Sequence, residues 1–358
     1  MAVSSLTLNF DAILSATLMN LHKKGTMFDQ ISTTNALLFF IMKKNGMYTG
    51  DAEGERMRIT LLYEMGVGDV FSGYDTLGNT PAEGITTAFF NWGQLAVPIA
   101  ISGKEERENA SSQTRVFDLL KGKTKQALLG AQDLFAKALI QGNGPHTATA
   151  ITTAYTSNQN GSVFIDPLPE LIHFSPTTAL TVGNIAQGTY SWWRNQTTTS
   201  TATTFAGFLK ELDNLYNKCS KGPGGMPDVH MLDQKVFELY VAALRNQNRF
   251  TDYLKADIPF ESVAFHGKPT TWDQFVPDAK NGTITGIPVD ASGTWYMINS
   301  QYLQIKYFQN FEPTAFARPT GASPQDAKLA HIMWHGGIAC ANRRKQGVIG
   351  GISTTITS

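Results

Sequence analysis

The chain has 358 residues, 42% hydrophobic, 11% aromatic and only 16% charged, with Lys plus Arg and Asp plus Glu equal at 29 each. That length supplies ample core for two domains, or for one domain with large excursions, and a charge content below the usual quarter describes a surface that neighbours partly cover. The balanced charge excludes a global field that would drive the protein onto nucleic acid or an acidic membrane.

Two cysteines, Cys219 and Cys340, are too few and too far apart for a disulfide framework or a four-ligand zinc site, and read as reduced buried thiols. The opening MAVSSLTLNFDAILSA lacks a basic n-region and no run of about 18 apolar residues occurs, so a cytoplasmic protein is expected. Its Asn-X-Ser/Thr triplets then carry no glycosylation meaning.

Residues 1–46 read as an arm. Asn9 caps a helix with the stripe Phe10, Ile13, Leu14, Leu18 and Leu21, ending at Lys23-Lys24-Gly25; a second short helix carries Ala36 to Ile41 and ends at Lys43-Lys44. Two short apolar helices cannot bury themselves, so Phe10, Leu14 and Leu18 are expected to lie on the body of this subunit or of another. The paired lysines complement helix C-termini or touch DNA, the former being the commoner use.

Residues 47–103 hold two strand-like runs, MYTGDAEGERMRITLLYEM and TTAFFNWGQLAVPIAIS, separated by turn chemistry at Gly73, Gly78, Asn79 and Pro81. Arms of about 17 to 19 residues would reach some 60 Å at about 3.3 Å per residue. A two-stranded ribbon of that reach is unstable alone. Either it folds into its own sandwich, or it drapes over a neighbouring subunit through the tip residues Phe71, Tyr74 and Leu77.

The cluster Lys104-Glu105-Glu106-Arg107-Glu108 then opens a helix. It is a solvated or ion-paired helix start, or an intersubunit salt-bridging site through Glu105, Glu106 and Arg107. The helix covers 112–141, with apolar returns at Val116, Leu120, Ala127, Ala131, Leu134 and Ala138, beside Phe117, Leu128, Phe135 and Leu139. Gly142-Asn143-Gly144-Pro145 stops it.

Loops rich in Thr, Asn and Gly fill 145–161 and 195–204. Helical spacing returns at Phe205, Phe208, Leu209, Leu212, Leu215 and Tyr216, and again at Val236, Phe237, Tyr240, Val241 and Leu244. Strands are predicted at 228–232, 262–265, 295–298 and 302–308, making an α+β domain. Residues 329–341 alternate, with Ile332, Trp334, Ile338 and Cys340 on one face and His331, Met333 and His335 on the other. On such a strand His331 and His335 lie roughly 13 Å apart, too far to share a metal ion.

No P-loop, G-x-S-x-G or C-x-x-C motif occurs, and no catalytic, cofactor or metal site is expected. Trp192-Trp193-Arg194 fills a core or an interface, or stacks on a base. Arg343-Arg344-Lys345 contacts phosphate or forms an ion pair across subunits.

Several blocks carry a resemblance: SGYDTLGNTPAEGITTAFFNWGQLAVPIAISGKEERENAS with the long helix, TYSWWRNQ at 189–196, NRFTDYLKADIPFESVAFHGKPTTWD at 248–273, and HIMWHGGIACANRRKQGVIGGI at 331–352. Together they resemble a tailed-bacteriophage major capsid protein of the Hong Kong 97-type fold, over most of the chain and in the family's order. The resemblance implies an arm (1–46), an extended β-hairpin loop (47–103), a peripheral domain (104–188) with its spine helix, a mainly axial domain (189–324), and a C-terminal strand (325–358) returning to the peripheral domain. It also implies pentamers and hexamers of this chain in an icosahedral head, assembled in the host cytoplasm. The partners it implies are double-stranded DNA held by weak contacts, scaffolding protein, portal and decoration proteins. A nanocompartment shell of the same fold is the alternative, and a cytoplasmic enzyme the remote one.

Overall fold

The computed structural model describes residues 47–48, 56–65, 70, 72–75, 83–104, 119–141, 165–177, 181–246, 263–273, 275–276, 293–313, 326–353 and 355–356. The arm 1–46, with Phe10, Leu14 and Leu18, lies outside the described residues, as do Phe71, Leu77, Glu105, Glu106, Arg107, the first turns of the helix expected at 112–141, and the loop 145–161. The chain divides into two compact units. Described parts of 95–133 and 311–334 make the first; described parts of 34–94, 134–310 and 335–358 make the second.

Four strands come first: β1 (Met47–Tyr48), β2 (Met57–Leu62), β3 (Ile85–Phe90) and β4 (Gly93–Ser102). The long helix follows as α1 (Leu119–Gln141). Later come β12 (Leu303–Pro313) and β13 (Ala327–Cys340), and the four-stranded sheet has the order β1-β12-β13-β4. In the first unit, Ile99 of β4 and Ala330 and Ile332 of β13 form a buried cluster that Ala127 and Leu128 of α1 cover. Lys123 on the same helix donates from Nζ to the Ala100 carbonyl at 3.1 Å. One apolar helix stripe on one alternating sheet face is what the two sequence periods require. The alternation expected of β13 is present, with Ile332 and Trp334 buried and Met333 exposed between them. From Gly336 to Cys340 every residue is buried, so both faces are covered there.

The core of the second unit is a six-stranded sheet of order β7-β14-β11-β8-β10-β9. Its strands are β7 (Gln196–Thr199), β8 (Val229–Leu232), β9 (Val263–Phe265), β10 (Lys268–Trp272), β11 (Thr294–Ile298) and β14 (Gly347–Gly350). The single turn α2 (Leu168–Leu171) and the two-residue strands β5 (Thr181–Val182) and β6 (Ile185–Ala186) precede it. Helices α3 (Phe205–Ser220) and α4 (Gln234–Asn246) pack on it. Thr204 caps α3 by accepting the Gly207 N–H at 3.2 Å. Phe208, Leu212, Leu215 and Cys219 then return on one face at helical spacing and pack with Trp295, Met297 and Ile349 of the sheet and Val236 and Tyr240 of α4. Each such side chain contributes about 1.5 to 3 kcal/mol by leaving water. All five residues of β11 are buried, which suits a central strand covered on both faces.

Candidate interaction surfaces

The hairpin β2–β3 is where structure and sequence expectation part. Among the described residues six residue pairs match, from Met57↔Phe90 to Leu62↔Ile85, a ladder shorter than arms of 17 to 19 residues. The second arm breaks at Asn91-Trp92. Trp92 packs on Phe308 and His335, at ring centroid distances of 4.4 and 6.2 Å, and the chain continues as β4 in the four-stranded sheet. An aromatic contact outcompetes continued two-stranded pairing, which gains little without a third strand.

One end of the hairpin is anchored. Met57, Leu61, Ala88 and Phe90 are buried, and the Phe89 N–H donates to the Gly183 carbonyl at 2.9 Å. Gly183 has φ 61°, and a Cβ there would stand 3.1 Å from Phe90 and 3.2 Å from Ala88, so glycine serves both backbone and approach. Tyr63 stacks on Trp192 at 4.7 Å and 15°, and its hydroxyl donates to the Glu83 carbonyl across the hairpin. Trp193 is buried and donates its indole N–H to Val182 O at 2.8 Å. The Trp192-Trp193 pair thus serves as core and as a seat for the hairpin. Arg194 donates to the carbonyls of Gln187 and Gly188.

Beyond this anchor the apolar side chains turn outward. Leu62, Met65 and Ile85 are 75%, 76% and 70% exposed, and Val70 and Tyr74 are fully exposed. Ser72 and Asp75 close a turn, the Asp75 N–H donating to Ser72 O at 3.1 Å and the Ser72 N–H to Asp75 Oδ2 at 2.9 Å. Gly73, with φ 52°, takes the first central position and Tyr74 projects beside it. Five large apolar side chains exposed on one hairpin and its loop are unusual for a free monomer surface, which makes this end a candidate contact surface. Of the tip residues expected from sequence, Tyr74 is the one that falls among the described residues.

The basic triplet 343–345 does something its sequence did not suggest. Arg343 is wholly buried and donates to Leu171 O at 2.8 Å, Trp193 O at 3.2 Å, Glu170 O at 3.4 Å, Gln187 Oε1 at 2.9 Å and Asn195 Oδ1 at 3.3 Å. Lys345 is also buried and donates to the carbonyls of Ser220, Lys221, Gly222 and Gly225 at 2.9 to 3.4 Å. Neither cation is placed to meet phosphate; Arg344 alone of the three is exposed. No local pattern announces these roles, because the acceptors, mostly backbone carbonyls with the Gln187 and Asn195 amide oxygens, lie more than 100 residues away in sequence.

The remaining titratable groups read as structure. Both cysteines are free and buried, and burial pushes the Cys219 and Cys340 thiols up to about 12 and about 11. Burial, with the Arg343 charge adding to it, holds His173 down at about 4. Among the described residues no group of three His, Cys, Asp or Glu could hold a metal ion, and no helix is long and apolar enough to cross a membrane.

No family model and no curated protein matches the sequence. Solved structures do match the fold, over 92 to 98% of the chain. The cyanophage A-1(L) capsid chain is 13% identical, with 92% of this chain and 96% of that chain covered and a TM-score of 0.61. The capsid chain of a native GTA particle is 14% identical, covering 98% and 100%, with a TM-score of 0.55. The SrpI encapsulin of Synechococcus elongatus PCC 7942 is 8% identical, covering 96% of each chain, with a TM-score of 0.52. At such identities the likeness is one of fold. The chain has the α+β fold of phage-capsid and encapsulin chains, the Hong Kong 97-type fold that its sequence blocks resemble.

Proposed function

We propose that this chain is a major capsid protein, which assembles with copies of itself as pentamers and hexamers into an icosahedral phage head around double-stranded DNA. One observation carries the reading beyond fold: the hairpin is anchored at Phe89–Gly183 and Tyr63–Trp192, yet leaves Leu62, Met65, Val70, Tyr74 and Ile85 exposed. A fixed hairpin with an uncovered apolar end is suited to rest on a second copy. Its work is mechanical rather than catalytic, many weak repeated contacts giving the shell its strength.

The same proposal assigns 1–46 as the arm, 47–103 as the extended loop, 104–188 as the peripheral domain, 189–324 as the mainly axial domain and 325–358 as the returning strand. It adds the arm stripe Phe10, Leu14 and Leu18, the tip residues Phe71 and Leu77, and the cluster Glu105, Glu106 and Arg107 as further subunit contacts. Scaffolding protein, portal and decoration proteins are its proposed partners, with assembly in the host cytoplasm and residence in the virion. Contact with packaged DNA is weak and non-specific, in keeping with a net charge of zero.

The likeness to an encapsulin chain supports a second reading, a nanocompartment shell enclosing protein cargo. Electron microscopy of purified particles, with nucleic-acid and protein analysis of their contents, tests both. Closed shells holding double-stranded DNA are expected. Shells holding cargo protein would favour the second reading, and a monodisperse monomer under all assembly conditions would overturn both.

A further inference from the structure

His230, in β8, has its imidazole wholly buried among Tyr216, Phe265 and Trp295, at ring centroid distances of 6.1, 5.2 and 6.1 Å. Trp295 donates its indole N–H toward Nδ1 at 3.5 Å, which leaves the neutral ring's proton on Nε2. Among the described residues Nε2 has no partner, and neither has the hydroxyl of Thr270, the residue opposite it in the parallel β8–β10 register.

Among the described residues, the charged and titratable groups around the ring are committed or of the wrong sign. Asp228, on the same strand, accepts from Ser300 N and Oγ at 2.8 and 2.6 Å. Asp213 of α3 pairs with His266 at 2.9 Å, and His266 and Lys268 face the ring from the β9–β10 side. The hydroxyl of Tyr216 donates to Met226 Sδ, and that of Tyr240 on α4 donates to Ala264 O at 3.1 Å. A second proton on the ring would occupy Nδ1, end the Trp295 bond and place an unpaired cation in an aromatic core. Phe265 and His266 lie on the β9 side of the ring, and β9 is the edge strand with β10 next to it, whereas β11 is central.

We propose that His230 is an acid-sensitive latch: the neutral ring holds β9 and β10 closed against α3, and uptake of one proton at His230 releases this edge. Burial holds the ring down at about 3, against an ordinary 6.5. The closed form therefore binds the proton more weakly than the open form. Closure is complete above the ordinary value and weakens about tenfold per pH unit as pH falls from there toward the buried value.

Amide hydrogen exchange read by mass spectrometry on the full chain tests this between pH 6.5 and 4.5, after correction for the intrinsic exchange rate. The segment 263–273 should open roughly fiftyfold more at the acid end, while α1 shows no comparable slope. In His230→Gln, which has no proton to gain, the slope of 263–273 should flatten. The same slope in wild type and variant, or a flat wild-type profile, would overturn the latch. Should the variant fail to fold, the wild-type comparison decides alone: equal slopes for 263–273 and α1 would overturn it.

Discussion

Lys345 sets its ammonium 2.9 Å from the carbonyl of Gly222, one of four carbonyls that converge on it just past the end of α3. A helix C-terminus carries unpaired carbonyls and a partial negative charge, and here a buried cation from 120 or more residues away satisfies both. Lys345→Met keeps the apolar stem and removes the charge. We expect it to lower subunit stability by about 2 to 3 kcal/mol, the range for hydrogen bonds to a charged group, as read by chemical denaturation of the unassembled chain. Arg344→Ala, at the exposed neighbour, should change it by less than about 0.5 kcal/mol.

Arg343 makes a harder demand. Its guanidinium reaches acceptors on α2, on Gln187 and on the 193–195 segment at once, a fan that a single ammonium cannot reproduce. Arg343→Lys is therefore expected to cost about 2 kcal/mol or more, and Arg343→Met about 3 to 5 kcal/mol because several buried acceptors lose their donor together. Thermal melting of the subunit ranks the three; a Lys variant as stable as wild type would show that charge alone suffices.

These two anchors mark where the sequence stopped being legible. Periodicity named α3 through Phe208, Leu212 and Leu215, the strand β13 through Ile332 and Trp334, and the apolar stripe of α1 through Ala131 and Leu139. In each case burial on one face is a local, repeating demand. Arg343 and Lys345 looked like a surface charge run because most of their partners are backbone carbonyls, which every sequence supplies everywhere, and the two side-chain partners of Arg343, Gln187 and Asn195, lie about 150 residues away. The hairpin was legible as a hairpin but not in length. What ends it is Trp92 finding Phe308 and His335, a pairing of residues more than 200 positions apart that no local pattern reports. Of the tip residues, the exposure of Tyr74 was readable because a glycine-containing turn that carries an aromatic has no core of its own.

His173 supplies a pH dependence separate from that of His230. Its Nδ1 accepts the Ser175 N–H at 3.0 Å, and burial beside Arg343 disfavours the imidazolium. The folded value, about 4, lies below the ordinary 6.5. Unfolded chains therefore take up the proton first, and stability present above the ordinary value is lost as pH falls toward the folded one. Each pH unit in that window removes about 1.4 kcal/mol. His173→Gln abolishes this term, while Asn195 still holds the backbone N–H and carbonyl of position 173. Denaturation at pH 7 and pH 5 should show wild type losing about 2 kcal/mol more than the variant; equal losses would remove His173 from the account.

The hairpin decides between an internal element and a contact between copies. Phe90 is buried at the anchored end, so Phe90→Ala should cost about 3 to 5 kcal/mol of subunit stability through lost contacts and a cavity. Leu62 and Tyr74 are exposed in the subunit, so Leu62→Ser and Tyr74→Ser should leave subunit melting within about 0.5 kcal/mol of wild type. If a neighbouring copy covers these side chains, their loss appears in assembly instead. A shell repeats the contact at every subunit, so even about 1 kcal/mol lost per contact multiplies across the particle and its yield falls sharply. Melting of the unassembled subunit measured beside particle yield separates the cases. A large melting shift for Tyr74→Ser, with normal yield among folded molecules, would make the tip part of its own subunit's core and overturn the intersubunit contact.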